Sequence, residues 1–185
     1  MTKDTTTLYN GRWLRLKKRG SWEYVERTNP IGAAVIVGVT PEGKLLLVEQ
    51  FRVPIQARTI EFPAGLIGDN GADEAPELAA ARELEEETGW RAGLLQFVQG
   101  GPTSAGMSTE TMQFYRASRL LKVAEGGGIS GEDIIVHEVL LAQAPQFIAK
   151  CAAAGFCIDP KVYAGIYFTQ FDATGEPLAS FWWRQ

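Results

Sequence analysis

The sequence predicts an α/β (α+β) fold, a mixed sheet flanked by helices and preceded by an N-terminal antiparallel hairpin. Three observations lead there. Apolar runs of strand length recur at 33–39, 44–51, 94–98, 112–117 and 134–140, separated by glycine-rich or polar turns. Longer stretches with helix start and stop signals stand at 74–88, 143–154 and 160–168. The chain has 185 residues, 45% hydrophobic and 22% charged, which suits one substantial core with a small additional element.

Residues 1–30 form the additional element and 31–185 the main domain. In LYNGRWLRLKKRGSWEYVER, residues 8–27, apolar and polar side chains alternate on either side of Arg19-Gly20-Ser21, so two strands and a turn are expected. Such a hairpin has little core of its own and must dock on something. Arg15, Lys17, Lys18 and Arg19 mark its solvated end.

After Asn29-Pro30, Ala33 to Val39 and Lys44 to Phe51 flank a Pro-Glu-Gly turn at 41–43 and read as a hairpin within the main sheet. Arg52 follows the second strand directly. A guanidinium there needs a partner. It could pair with Glu61 or Glu49, or hold a phosphate with its planar fork of donors.

The stretch Gly65 to Trp90 is the one the chain is organised around. Its second half should be a helix, with Asp69 or Asp73 as cap, Glu74, Pro76 and Glu77 in the first turn, and Gly89 at the end. Glu83, Glu86 and Glu87 share one helix face. Like charges at such spacings cost an isolated helix roughly 0.2–0.5 kcal/mol per pair, so a solvated face or a nearby cation is required. Arg82 is the only basic residue inside this helix. Clustered oxygens without His or Cys suit a hard cation such as Mg²⁺, which prefers octahedral oxygen ligands at about 2.0–2.1 Å.

Beyond the helix, Leu94 to Val98 and Met112 to Ala117 are strands around a loop, Gly100 to Glu110. Glycines 126–128 read as a flexible stretch before Gly131-Glu132-Asp133, and Ile134 to Leu140 as a further strand. His137, the only histidine, reads as structural or partly exposed. Gln143 to Ala154 is an amphipathic helix ending at Gly155, and Asp159-Pro160 opens a last helix through Phe168. The terminal Phe181, Trp182 and Trp183 could pack on the core or on a partner subunit.

Several function classes are disfavoured. A net charge of −4 argues against general nucleic-acid binding. No apolar run approaches the ~20 residues of a membrane span, and MTKDTTT is no signal peptide, so a cytoplasmic location is the default. Cys151 and Cys157 look like small packed side chains rather than a disulfide or metal pair.

Gly68, Glu74, Arg82, Glu83, Leu84, Glu86, Glu87, Gly89 and Trp90 match, position by position, the motif of the Nudix hydrolases, and the chain resembles that family's ADP-sugar branch. In that branch the first glycine usually closes a Pro-Ala-Gly triplet, here Pro63-Ala64-Gly65, so a three-residue insertion precedes the helix. The resemblance implies an α/β/α sandwich with a mixed sheet and a homodimer across which the N-terminal hairpin packs. It implies Mg²⁺, or Mn²⁺, on Glu83, Glu86, Glu87 and the Ala64 carbonyl, with Glu61 beside it and Arg82 orienting the acids. It places Arg52 on the substrate's phosphates, Trp13 and Trp22 on the base, and Gly106 and Met107 on the sugar side. Either tryptophan could instead simply fill the hairpin's packing face. The branch commonly has a proline where this chain has Ala105, in Ala-Gly-Met-Ser. Glu132 is the implied catalytic base, with Asp133 and Glu138 as alternatives. The implied reaction is hydrolysis of ADP-ribose, or a related nucleoside diphosphate sugar, to AMP and a sugar phosphate. Other nucleotide substrates, or a sensing module without turnover, are the competing readings.

Overall fold

The computed structural model describes residues 4–28, 32–68, 74–129 and 131–184. The chain begins with a three-stranded antiparallel sheet, β1 (Thr5–Asn10), β2 (Leu14–Arg19) and β3 (Trp22–Arg27), rather than the expected two-stranded hairpin. The extra strand is built from the threonines of the polar start, whose β-branched side chains suit an extended backbone. The opposite edge of the sheet, β3, is tied to the main domain: Val25 N–H donates to the Met107 carbonyl at 2.8 Å, and Thr109 N–H to that of Val25 at 3.0 Å. An Arg27–Glu110 ion pair adds to this seam.

The main domain holds two four-stranded mixed sheets. One has the order β7 (Ala64–Ile67), β4 (Gly32–Gly38), β10 (Thr111–Ser118), β9 (Leu94–Pro102), with β4 and β10 parallel. The other has the order β12 (Ile134–Leu140), β5 (Lys44–Arg52), β6 (Ala57–Glu61), β13 (Cys157–Ile158), with β6 and β13 parallel. A ribbon of β8 (Trp90–Arg91) and β11 (Leu121–Lys122) completes the pairing. β4 and β5 are therefore not a hairpin within one sheet. They meet at a Val39–Leu45 bridge, with Thr40 N–H on the Lys44 carbonyl at 2.8 Å, and then diverge into different sheets. Both strands are buried over most of their length, so each needs cover on two faces and cannot stay side by side at an edge.

Alternate residues of β4 feed two cores. Ala34 and Ile36 join Leu46, Ile67 and Tyr115 beneath α1 (Pro76–Thr88), against its Ala79, Ala80 and Leu84. Val35 and Val37 join Leu47, Ile60 and Phe62 against Ala144 and Ile148 of α2 (Ala144–Ala153) and Val162 of α3 (Lys161–Phe168). The result is an α/β/α arrangement. Trp182 and Trp183 pack on this second core, and the Trp182 indole donates to the Thr169 carbonyl at 2.9 Å.

The acid-bearing helix starts later than its expected caps, Asp69 or Asp73, suggested. Ala75 occupies its N-cap and Pro76 its first position, leaving Glu74 ahead of it. Asp69 and Asp73 lie outside the described residues. Gly89 ends the helix in the left-handed conformation, φ 71°, as expected.

Candidate active site

The acidic face of α1 turns toward the start of β7, not toward open solvent. Glu83 lies so close to Gly65 that a Cβ there would fall 1.8 Å from the Glu83 carboxyl carbon, so any side chain at 65 would displace that carboxylate. Glu87 is 5% exposed and its Oε2 accepts the Ala64 N–H at 3.1 Å. Burial, with the nearby Glu83 and Glu132 charges, pushes the Glu87 carboxyl up to about 8 despite that bond. Burial also raises Glu83, more than Arg82 lowers it.

Arg82 is the cation of the cluster. Its Nη1 donates to Glu83 Oε1 at 2.8 Å and Glu86 Oε2 at 3.1 Å, and its Nε to Glu74 Oε1 at 3.2 Å. Glu74 also accepts the Gly68 N–H at 3.2 Å, so it braces the turn before the helix. Burial opposes the Arg82 charge, yet Glu74 and Glu83 outweigh it and hold the guanidinium protonated.

The donor set fits a hard divalent ion: several carboxylates, one of them pushed toward its neutral form by burial and by the neighbouring acids. In this arrangement Glu83 and Glu86 turn to Arg82 and Glu87 to Ala64 N–H; among the described residues no three acidic, His or Cys side chains converge as a ready ligand shell. The Ala64 contact observed is through its N–H, while the Pro63 carbonyl is taken by Ile36 N–H at 2.8 Å.

Ala64 and Gly65 also line a cleft of about 580 Å³, walled by Arg52, Glu61, Thr103, Met112 and Lys161. Of the two partners open to Arg52, the structure selects Glu61, in a two-pronged pair with both bonds at 2.7 Å. Burial would raise the Glu61 carboxyl, but Arg52 and the Thr59 hydroxyl reverse this and hold it below the ordinary range. Thr59 was missed in the sequence, although a strand's period of two puts it on the same face as Glu61. Glu49 is engaged elsewhere, with Arg58 at 2.5 Å and His137 at 3.0 Å.

Glycines 126–128 are not a loose stretch. Gly127 and Gly128 N–H groups donate to the Glu87 and Glu86 carbonyls at 2.8 and 3.0 Å, closing the C-terminal end of α1. All three have positive φ, and a Cβ on Gly126 would fall 2.4 Å from the Thr88 carbonyl carbon. The run is glycine because the backbone must touch the helix end. It delivers Glu132, whose Oε2 accepts the Ile129 N–H at 2.8 Å and whose charge is felt by Glu83 and Glu87. Of the alternatives, Asp133 is bound to Arg58, and Glu138 is bound to the Trp90 indole at 3.1 Å and Lys44 at 3.2 Å.

A separate groove of about 330 Å³ brings together Trp22, Tyr24, Gly106 and Met107 where β3 meets the 104–109 loop. Trp13 does not line it. That ring is 64% exposed, with the Arg12 guanidinium 4.6 Å from its centroid.

The α1 carboxylates thus stand beside an arginine-walled cleft on an α/β/α frame. The chain belongs to the Nudix family: the NUDIX domain profile matches residues 29–142. It is 39% identical over 156 residues to an ADP-ribose pyrophosphatase of Mycobacterium tuberculosis, covering 82% of this chain and 72% of that one. It is 30% identical over 156 residues to a methanol dehydrogenase activator of Bacillus methanolicus, covering 80% and 83%. A crystal structure described as an ADP compounds hydrolase shares the fold, with TM-score 0.70, 19% identity and 91% of each chain covered.

Proposed function

We propose that this protein hydrolyses the pyrophosphate bond of a nucleoside diphosphate sugar, with ADP-ribose giving AMP and ribose 5-phosphate as the leading reaction. The observation that carries the reading is a shared pair of residues: Ala64 and Gly65 touch the α1 carboxylates and also line the Arg52 cleft. The ADP-ribose pyrophosphatase relative supports the substrate class.

Glu83, Glu86, Glu87 and the Ala64 carbonyl would hold Mg²⁺, with Mn²⁺ as the alternative. Bound there, it would supply Lewis acidity to the diphosphate and a more acidic water. Arg82 keeps the carboxylates oriented. Arg52, preset by Glu61, meets the phosphate oxygens with the part of its side chain that faces the cleft. Water adds to one phosphorus, the bond from that phosphorus to the bridging oxygen breaks, and Glu132 takes the proton released by the water. Trp22 and Met107, with Gly106, form the platform for base and sugar; Trp13 contributes across a homodimer formed through the N-terminal sheet. The protein acts in the cytoplasm on a small nucleotide-sugar substrate, without a nucleic-acid or membrane partner.

The test is a panel of ADP-ribose, ADP-glucose, GDP-mannose, dinucleoside polyphosphates and nucleoside triphosphates with Mg²⁺, products read by chromatography. ADP-ribose is expected to turn over fastest, and Glu86→Gln and Glu87→Gln to lose most turnover while remaining folded. Faster cleavage of triphosphates, or undiminished rates in both variants, overturns the assignment.

A further inference from the structure

The loop carrying Glu132 is held from two sides. On one side Gly127 and Gly128 are bonded to the end of α1. On the other, next to Glu132 in sequence, Asp133 Oδ2 accepts from Arg58 Nη1 at 2.6 Å. Arg58 lies on β6, 75 residues away, and its Nε is fixed by Glu49 Oε1 at 2.5 Å. Glu49 is itself 8% exposed, and its Oε2 lies 3.0 Å from His137 Nε2. The anchor end is thus buried in the sheet, and the loop end is not: the Asp133 side chain is 74% exposed. Arg58 and Asp133 also line, with Glu132, Gly131, Gln50 and Phe51, a hollow beside the loop.

An exposed ion pair contributes little to folding stability, so stability alone gives little account of this arrangement. Its geometric effect is larger. Glu132 sits in a turn closed by its own carboxylate on Ile129 N–H and by its N–H on the Ile129 carbonyl at 3.1 Å. Without the Arg58 contact, that turn keeps its bonds to the end of α1 and the β12 pairing that starts at Ile134, but loses the side-chain hold on the residue next to Glu132.

We propose that Arg58 is a positioning residue for hydrolysis: anchored by buried Glu49, it holds Asp133 and thereby sets where the Glu132 carboxylate stands relative to the α1 acids. This rests on Glu132 being the base, and the test separates the two ideas. Asp133 is the residue to change, because it is exposed and its loss leaves the Glu49–Arg58 anchor in place.

Steady-state kinetics on ADP-ribose with Mg²⁺ would compare Asp133→Ala, Asp133→Glu, Glu132→Gln and the double variant Asp133→Ala/Glu132→Gln. Misplacing a catalytic group by about 1 Å can cost up to about a hundredfold, and a partial loosening should cost about fivefold or more in kcat. Asp133→Ala is expected to show that loss with KM nearly unchanged and the melting temperature unaltered. Asp133→Glu should recover most of it. The double variant should be no slower than Glu132→Gln alone, since a tether acting through Glu132 has nothing left to position. If Glu132→Gln is impaired but Asp133→Ala is not, or if the two losses multiply, the tether is refuted while the base stands. Wild-type kcat in Glu132→Gln refutes the base and the tether with it.

Discussion

At the level of single residues, Glu87 shows what the site's electrostatics ask of the fold. Its carboxyl is pushed up to about 8 from an ordinary 4.5, so the folded protein prefers it neutral. For an acid raised on folding, the ionised form is penalised in the native state, and the penalty grows as pH rises from about 4.5 toward about 8. Metal-free wild-type protein should therefore lose stability across that window. Glu87→Gln, which cannot ionise, should not share the loss: its melting temperature should exceed wild type at pH 8 and match it near pH 5. A divalent ion should close the gap by binding the ionised form. A scan that finds no pH-dependent difference between the two proteins would contradict the burial argument. Gly65 belongs at the same scale. Its presence in the sequence marks a tight turn, but the Glu83 carboxylate standing where its Cβ would be is a contact across 18 positions that only the fold reveals.

Among the elements, α1 was the most legible, because carboxylates at relative positions 0, 3 and 4 share a face whatever the tertiary context. Its start was less so, since the capping acids upstream are not what occupies the N-cap. β13 has two residues and no periodicity to read. The glycines at 126–128 misled for a physical reason: glycine marks both loose chain and chain pressed against something, and composition does not separate them. Ion pairs such as Arg58–Asp133 and Arg27–Glu110 span 75 and 83 positions and left no local signal. The groove between β3 and the 104–109 loop brings Trp22 and Met107 together, while Trp13 stands outside it. Stacking a base on an aromatic is worth about 1–3 kcal/mol. Trp22→Ala should accordingly raise KM for ADP-ribose by roughly five- to a hundredfold with kcat little changed. Equal losses in both constants would remove Trp22 from the binding platform.

For the whole molecule, the layered frame was legible and the sheet partition was not. A turn between two apolar strands reads as a hairpin whether or not the strands later part company, and here they do beyond the Val39–Leu45 bridge. The N-terminal sheet leaves Leu8, Tyr9, Trp13 and Leu14 at 45–67% exposure, an apolar set that a second copy would cover. Sedimentation should report a dimer, and Trp13→Glu with Leu14→Glu should yield monomers with the catalytic domain still folded. A monomeric wild type at micromolar concentration would exclude the paired arrangement.

The double contact made by Ala64 and Gly65 has a thermodynamic corollary. Because the same two residues touch the acids and line the cleft, a backbone shift at one site moves the wall of the other. Occupancy of the two should then be heterotropically linked: whatever factor an ion adds to nucleotide affinity, the nucleotide must return to the ion.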